Sequence, residues 1–213
     1  MNALFPTLCR TEPLIRWRGI SAMGASTARL AADDMEAARV VMRRFLWSLN
    51  DESGGIGWGA PESLAEAMRR HAGLAREYAH MLLSYIREDG AEIWQDGNFL
   101  EHPLLQRGVL WGLARLTEPD DDADAAGENR TALLLHLGAG PELVPFLENP
   151  DAEIRGLACL AAGRLDIASA AATLQALQND PAAFSLYQNG AFRKVTVGEL
   201  ARDALNALEN PHA

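Results

Sequence analysis

At 213 residues the chain is long enough to bury a sizeable core as one domain or one short repeat array. Its hydrophobic share of 48% and charged share of 23% are those of an ordinary globular protein, and Ala and Leu outweigh β-branched residues, which favours helix over sheet. The formal net charge is −10, with 6 basic and 15 acidic side chains in residues 118–213, so general binding to phosphate backbones is disfavoured.

The start, MNALFPTLCRTEP, lacks a charged segment followed by an apolar stretch, and reads as no signal peptide. No run approaches the roughly 18 apolar residues of a spanning helix, and no lipidation motif is present. The compartment expected is the cytoplasm, where Cys9 and Cys159 would be free thiols. Residues 13–31 predict a helix with Pro13 in its first turn and Gly24 as a point of bending. Residues 33–49 predict a second, capped by Asp33 or Asp34, with Met35, Ala38, Met42, Phe45 and Leu49 on one stripe. A Gly-rich connection, 50–61, leads to a helix from Pro61, a break near His71 and Gly73, and a helix over 74–88. A loop over 89–100 precedes a helix at 101–117.

The stretch 118–129 is acidic and irregular and reads as a linker. It makes an N-terminal lobe, 1–117, and a C-terminal lobe, 130–213, conceivable within one domain. Short helices are expected at about 130–137, 141–148, 151–164 and 167–179. Segments 184–188 and 191–195 flank Asn189-Gly190, a type I′ hairpin signal. A helix over about 197–208 ends the pattern.

Internal repetition is visible in Arg18-Gly19-Ile20, Arg107-Gly108-Val109 and Arg155-Gly156-Leu157, with looser matches at Arg76 and Arg202. The last two Arg separations, 48 and 47 residues, fit a two-helix repeat. Such hairpins must stack to bury both faces. The fold class expected is therefore all-α, a short right-handed α-α superhelix of the HEAT or armadillo type, with one small β-hairpin near the C-terminus. With NPDAEIRGLACLAAGRLD at 149–166, TEPLIRWRGISAMG at 11–24 and EHPLLQRGVLWGLARL at 101–116, the chain resembles HEAT-like repeat proteins of the phycobilisome-lyase type. It is also similar to a bacterial group of HEAT-repeat proteins that brings no activity with it. The resemblance implies that Arg18, Arg107, Arg155 and Arg202 are structural, tying neighbouring turns. Glycines after three of them suit close helix approach.

Candidate binding residues cluster in connections. Four glycines surround Ile56 and Trp58, beside Asp51 and Glu52, and Trp94 and Phe99 occupy the next such connection. These six residues form the candidate partner-binding set. The alternative is that each aromatic caps its own hairpin core. Trp17, Trp47 and Trp111 fall within helices and read as packing residues. The Gly-rich loop follows a helix and lacks a P-loop's Lys-Ser/Thr ending. Asp120, Asp122 and Asp124 alternate like a calcium loop, but Ala125 and Thr131 stand where Gly and Glu are needed. The five histidines make no helical metal pair, and no nucleophile motif appears, so no metal, cofactor or catalytic residue is assigned.

The function expected is a protein-interaction scaffold or adaptor, working through its loop edge or concave face. The partner is an unidentified protein, and self-association stays open. One alternative is a lyase-like or cofactor-maturation factor. Another is a nucleic-acid-acting protein using Arg39, Arg43, Arg44, Arg69, Arg70 and Arg76, although interspersed Glu36, Glu66 and Glu77 offer ordinary helical pairing.

Overall fold

The structure is a computed structural model that describes residues 3–50, 57–90, 97–118 and 130–210. Asp51, Glu52, Ile56, Trp94 and the acidic stretch 119–129 lie outside the described residues.

A short helix α1 (Phe5–Leu8), not anticipated from the sequence, packs on α2 (Pro13–Asp33). Helix α2 runs through Gly24 without a break, because Gly24 marks a crossing and not a bend. A Cβ there would lie 2.2 Å from the Glu66 Cβ. The Asp34 carboxylate caps α3 (Met35–Leu49), accepting from the Ala37 N–H at 3.0 Å. Helix α4 (Ala60–Arg70) follows Gly59, whose φ of 74° is the left-handed geometry that favours glycine. His71 separates α4 from α5 (Ala72–Ser84), and its Nδ1 accepts from the Leu74 N–H. His102 does the same for α6 (Pro103–Leu116), so these two histidines are helix caps. The exposed His80 caps nothing.

Beyond these come α7 (Arg130–His136), α8 (Ala139–Leu143) with a 3-10 turn at Val144–Glu148, and α9 (Ala152–Arg164), capped by Asp151. A 3-10 turn at Ala168–Ala170 enters α10 (Ala171–Leu177). Strands β1 (Ala183–Gln188) and β2 (Ala191–Thr196) pair antiparallel, with Tyr187 opposite Phe192. Asn189 and Gly190 take φ of 52° and 80°, as the Asn-Gly signal requires. The last helix, α11 (Val197–Glu209), is capped by Thr196.

Helices α2, α4, α6, α9 and α11 pack side by side in chain order and form one layer. Their first residues recur every 43–49 positions, the period of a two-helix repeat. Helices α3, α5, α7 and α10 form the other layer, and Met23, Phe45, Met68, Leu82, Leu110 and Ile154 fill the space between. The fold is the expected all-α superhelix with a small hairpin. The repeat frame needs one correction. Arg18, Arg107, Arg155 and Arg202 all sit in the first layer, but Arg76 belongs to α5 in the second. The counterpart it displaced is α4, whose matching turn carries Ser63, Leu64 and Ala65 and no Arg. Through Arg76 the separations are 58 and 31 residues, whereas Arg18 to Arg107 is 89 residues, close to two repeats.

Of the glycines after those Arg residues, Gly19 meets Thr7 of α1 and Gly108 meets Glu62 of α4, whereas Gly156 meets Phe184 of the hairpin. Gly24 against Glu66, Gly112 against Ala65 and Gly163 against Ala204 mark helix crossings as well. Trp47, expected to pack, is 74% exposed.

Candidate functional site

The hairpin does not stay with its own repeat. It lies back across the layer of α2, α4, α6 and α9. The Trp111 indole N–H donates to the Tyr187 carbonyl at 3.0 Å, a buried bond joining α6 to β1. Tyr187 stacks on Trp17 of α2 at 4.6 Å between ring centroids, and Phe192 meets both rings edge-on. Trp17 and Trp111 meet edge to face at 4.6 Å. At the other end Phe184 lies over Gly156 of α9, where a Cβ would meet its ring at 2.3 Å. The strands therefore roof the inner layer and touch both its first and later helices.

Under that roof is a cavity of about 470 Å³. Helix α2 gives it Pro13, Arg16 and Trp17; the turn into α4 gives Trp58 and Gly59, and α4 itself gives Glu62. Helix α6 adds Leu104, Leu105, Arg107, Gly108 and Trp111, helix α9 adds Glu153 and Leu157, and the hairpin adds Ser185, Leu186, Tyr187 and Phe192. The size and the mix of apolar wall with few polar groups are those of a ligand site.

Glu62 is the unusual residue. It is 7% exposed, and its Oε2 has no hydrogen-bond partner. The carboxyl rests on Gly108, where a Cβ would come within 2.8 Å of it. Burial pushes its pKa up to about 7, against the pull of its own backbone N–H and of Arg16. Arg16, across the cavity, has a buried Nε without a hydrogen-bond partner. Arg107 likewise has a buried Nε without a hydrogen-bond partner, but its terminal nitrogens pair with Asp151 and, at 2.8 Å, with Glu153. Burial also raises the Glu153 carboxyl, although Arg107 opposes the shift.

A second polar cluster lies further along α4. Glu66, 2% exposed, accepts from the Arg115 Nε at 2.7 Å, with Arg69 and Arg70 nearby. Arg115 and Arg164 both reach Glu118. Ion pairs hold this group together, although the Glu66 Oε2 makes no hydrogen bond, and the adjoining space is only about 30 Å³.

Of the six candidate binding residues, Trp58 lines the cavity and is half-buried. Phe99 does not join it; it packs against Phe146, 6.5 Å between centroids. Asp51, Glu52, Ile56 and Trp94 lie outside the described residues. Among the Arg positions, Arg18 is exposed. Arg155 donates to the Asn149 and Pro150 carbonyls and to Asp180 at 2.8 Å, and Arg202 donates to the Gln178 carbonyl. The expected basic stripe is largely committed. Arg39 pairs with Glu77 at 2.5 Å and with Glu36, Arg43 pairs with Glu36, and Arg69 is buried. Among the described residues no group of three or more His, Cys, Asp or Glu side chains is placed to hold a metal ion. No helix among them is long and apolar enough to cross a membrane.

Sequence reading missed Arg16, Trp17, Glu62, Trp111, Glu153, Tyr187 and Phe192 as one site. Trp17 and Trp111 were assigned to packing, which they also do. The available signal was the missing Arg in the matching turn of α4, next to Glu62, visible only once α4 is aligned with its neighbours.

No family model matches the sequence, and no curated protein matches it. Solved structures do resemble the fold. An engineered protein from a structural genomics consortium superposes with a TM-score of 0.59 at 14% identity, covering 97% of this chain and 80% of that one. A second engineered protein gives 0.57 at 15%, covering 97% and 78%. A computationally designed armadillo repeat protein for modular peptide recognition gives 0.52 at 16%, covering 96% and 80%. At these identities the likeness shows a repeat solenoid fold. The narrower resemblance to phycobilisome-lyase repeats or to a bacterial group finds no support among them.

Proposed function

We propose that the chain is a protein-binding repeat scaffold, without catalytic activity of its own, that receives a short segment of a partner protein in the cavity under its hairpin. The observation that carries this is the cavity itself: about 470 Å³, walled by aromatics from four elements and lined by the Glu62 carboxyl and the Arg16 guanidinium. Buried polar groups in native proteins are usually hydrogen-bonded, so the Glu62 carboxyl and the Arg16 guanidinium are the groups a partner segment would engage. A solenoid built for modular peptide recognition with the same fold supports the reading by analogy. Because the hairpin lies across the inner layer, the site suits one side chain or a chain end more than a long extended peptide.

Trp58 is the anchor retained from the sequence-based set, since a half-buried indole at a cavity rim gains most when covered. We further take residues 1–213 as one solenoid domain, with Arg107, Arg155 and Arg202 as ties within and between repeats. The cytoplasm remains the compartment we propose.

Ser185 is exposed yet lines the cavity, which makes it the probe position. A photo-crosslinking residue placed at 185 should link reproducibly, in lysate from the native cell, to one segment of one protein. Filling the cavity with Leu104→Trp should remove that crosslink without lowering Tm by more than a few degrees. Labelling spread over many unrelated proteins, or unaffected by Leu104→Trp, would refute the proposal.

A further inference from the structure

We infer that the residue seated in this cavity is a lysine, with its ammonium group on the Glu62 carboxylate and its main-chain carbonyl accepting from Arg16. The inference rests on the partner-segment reading and names the chemistry of the segment.

Charge is the first support. The groups at the cavity are the guanidiniums of Arg16 and Arg107 against the carboxylates of Glu62, Glu153 and Asp151. Arg107 is engaged by Asp151 and Glu153, so Glu62 is the carboxylate without a contacting cation among the described residues. With Glu62 ionised, this set is one positive charge short. A buried carboxylate is stable when paired and expensive when not. Burial has accordingly pushed Glu62 up to about 7, where an arriving cation completes its ionisation.

Hydrogen bonding is the second. The Glu62 carboxyl is nearly enclosed, with Oε2 buried and Gly108 packed against the group, so little of it is left for a cation to reach. That suits a compact ammonium, a point charge with three donors, more than the two-pronged fork of a guanidinium. The Arg16 guanidinium, which lines the cavity, needs an acceptor, which an ammonium lacks and a peptide carbonyl supplies. The walls complete the fit, since Leu104, Leu105 and Trp58 are apolar surface for a four-carbon stem. The net charge of −10 favours approach by a basic segment.

The test uses the full chain and three blocked amino acids: the Nα-acetyl methylamides of lysine, arginine and norleucine. Binding is read from the indole N–H resonances of Trp17, Trp58 and Trp111, assigned by single Trp→Phe variants. The lysine probe should shift these signals saturably. Norleucine, of the same stem without the charge, should bind at least about tenfold more weakly, the worth of a charged hydrogen bond. Glu62→Gln should bring lysine down to the norleucine level while the variant's Tm shows it folded. Equal binding by norleucine, tighter binding by arginine, an unchanged lysine affinity in Glu62→Gln, or no response to any probe would each overturn the inference. The crosslinking experiment separates the two failures. A partner segment that crosslinks but presents no lysine sinks this inference and leaves the scaffold. A lysine probe that binds while no segment crosslinks leaves a site for free amines and sinks the scaffold.

Discussion

Burial gives Glu62 a thermodynamic signature that needs no ligand. Its folded carboxyl holds a proton up to about 7, whereas in the unfolded chain it ionises near its ordinary value of 4.5. Between those values the folded state binds more protons, so wild-type stability falls as pH rises through the window and levels off above it. Glu62→Gln has no proton to lose. The variant's stability relative to wild type should therefore rise by about 1–3 kcal/mol from pH ~4.5 to pH ~8, measured by denaturant unfolding at each pH. A difference that stays flat would mean that the carboxyl is solvated. Cys159 offers a second check at this scale. It is fully buried in α9 and its thiol is pushed up to about 12, so in the native state it should resist alkylation while exposed Cys9 reacts. Intact-mass analysis should then show one adduct before unfolding and two after. Neither residue was fully legible beforehand. Cys159, inside an apolar helix, reads correctly as core. Glu62 follows Pro61 in a first helical turn, where an acid is ordinary because it complements the helix dipole. Only the packing of α6 and the hairpin over that turn makes it exceptional.

At the scale of elements, the helix crossings set how close the repeats stand. Gly24 brings α2 against α4, and Gly163 brings α9 against the Ala204 backbone, where a Cβ would lie 2.7 Å from Cα. Both neighbours are backbone or Cβ atoms that cannot swing aside. Gly24→Ala and Gly163→Ala should each destabilise by about 1–3 kcal/mol despite alanine's better helix propensity, with Tm the readout. An increase in Tm at either position would show that the helices separate easily. The helices themselves were readable from apolar spacing, Pro at helix starts and Asp caps, and the hairpin from Asn-Gly. What misled was the use of Arg as a repeat marker. Arg recurs on four inner helices, but α4 carries Ser63, Leu64 and Ala65 in the matching turn and buries Glu66 and Arg69, so the pattern jumped to Arg76 on α5. The departure from the repeat coincides with the cavity, as expected where a site overrides a structural pattern.

For the whole molecule, the hairpin changes what kind of object the solenoid is. In an open array each repeat touches only its neighbours, and stability is a sum of local terms that allows one end to unfold before the other. Here Tyr187, near the end of the chain, stacks on Trp17, near its beginning, and hangs from Trp111 in the middle. Early and late repeats are thus coupled directly, and no sequence period reports such a contact. The coupling predicts one cooperative unfolding transition for the wild type. Trp17→Ala keeps the neighbour-to-neighbour contacts of α2 with α4 but removes the stacking partner of the roof. Hydrogen exchange in that variant should accelerate over residues 183–196 while the helix interiors keep most of their protection. Denaturant curves from an N-terminal probe at Trp47, which is exposed on α3, and from a label on Cys159, after Cys9 is replaced, should coincide in the wild type and separate in Trp17→Ala. If the two curves still coincide, the roof is an ornament on an array held by its neighbours alone. If they separate, the same contact that closes the cavity also makes the repeats fold as one.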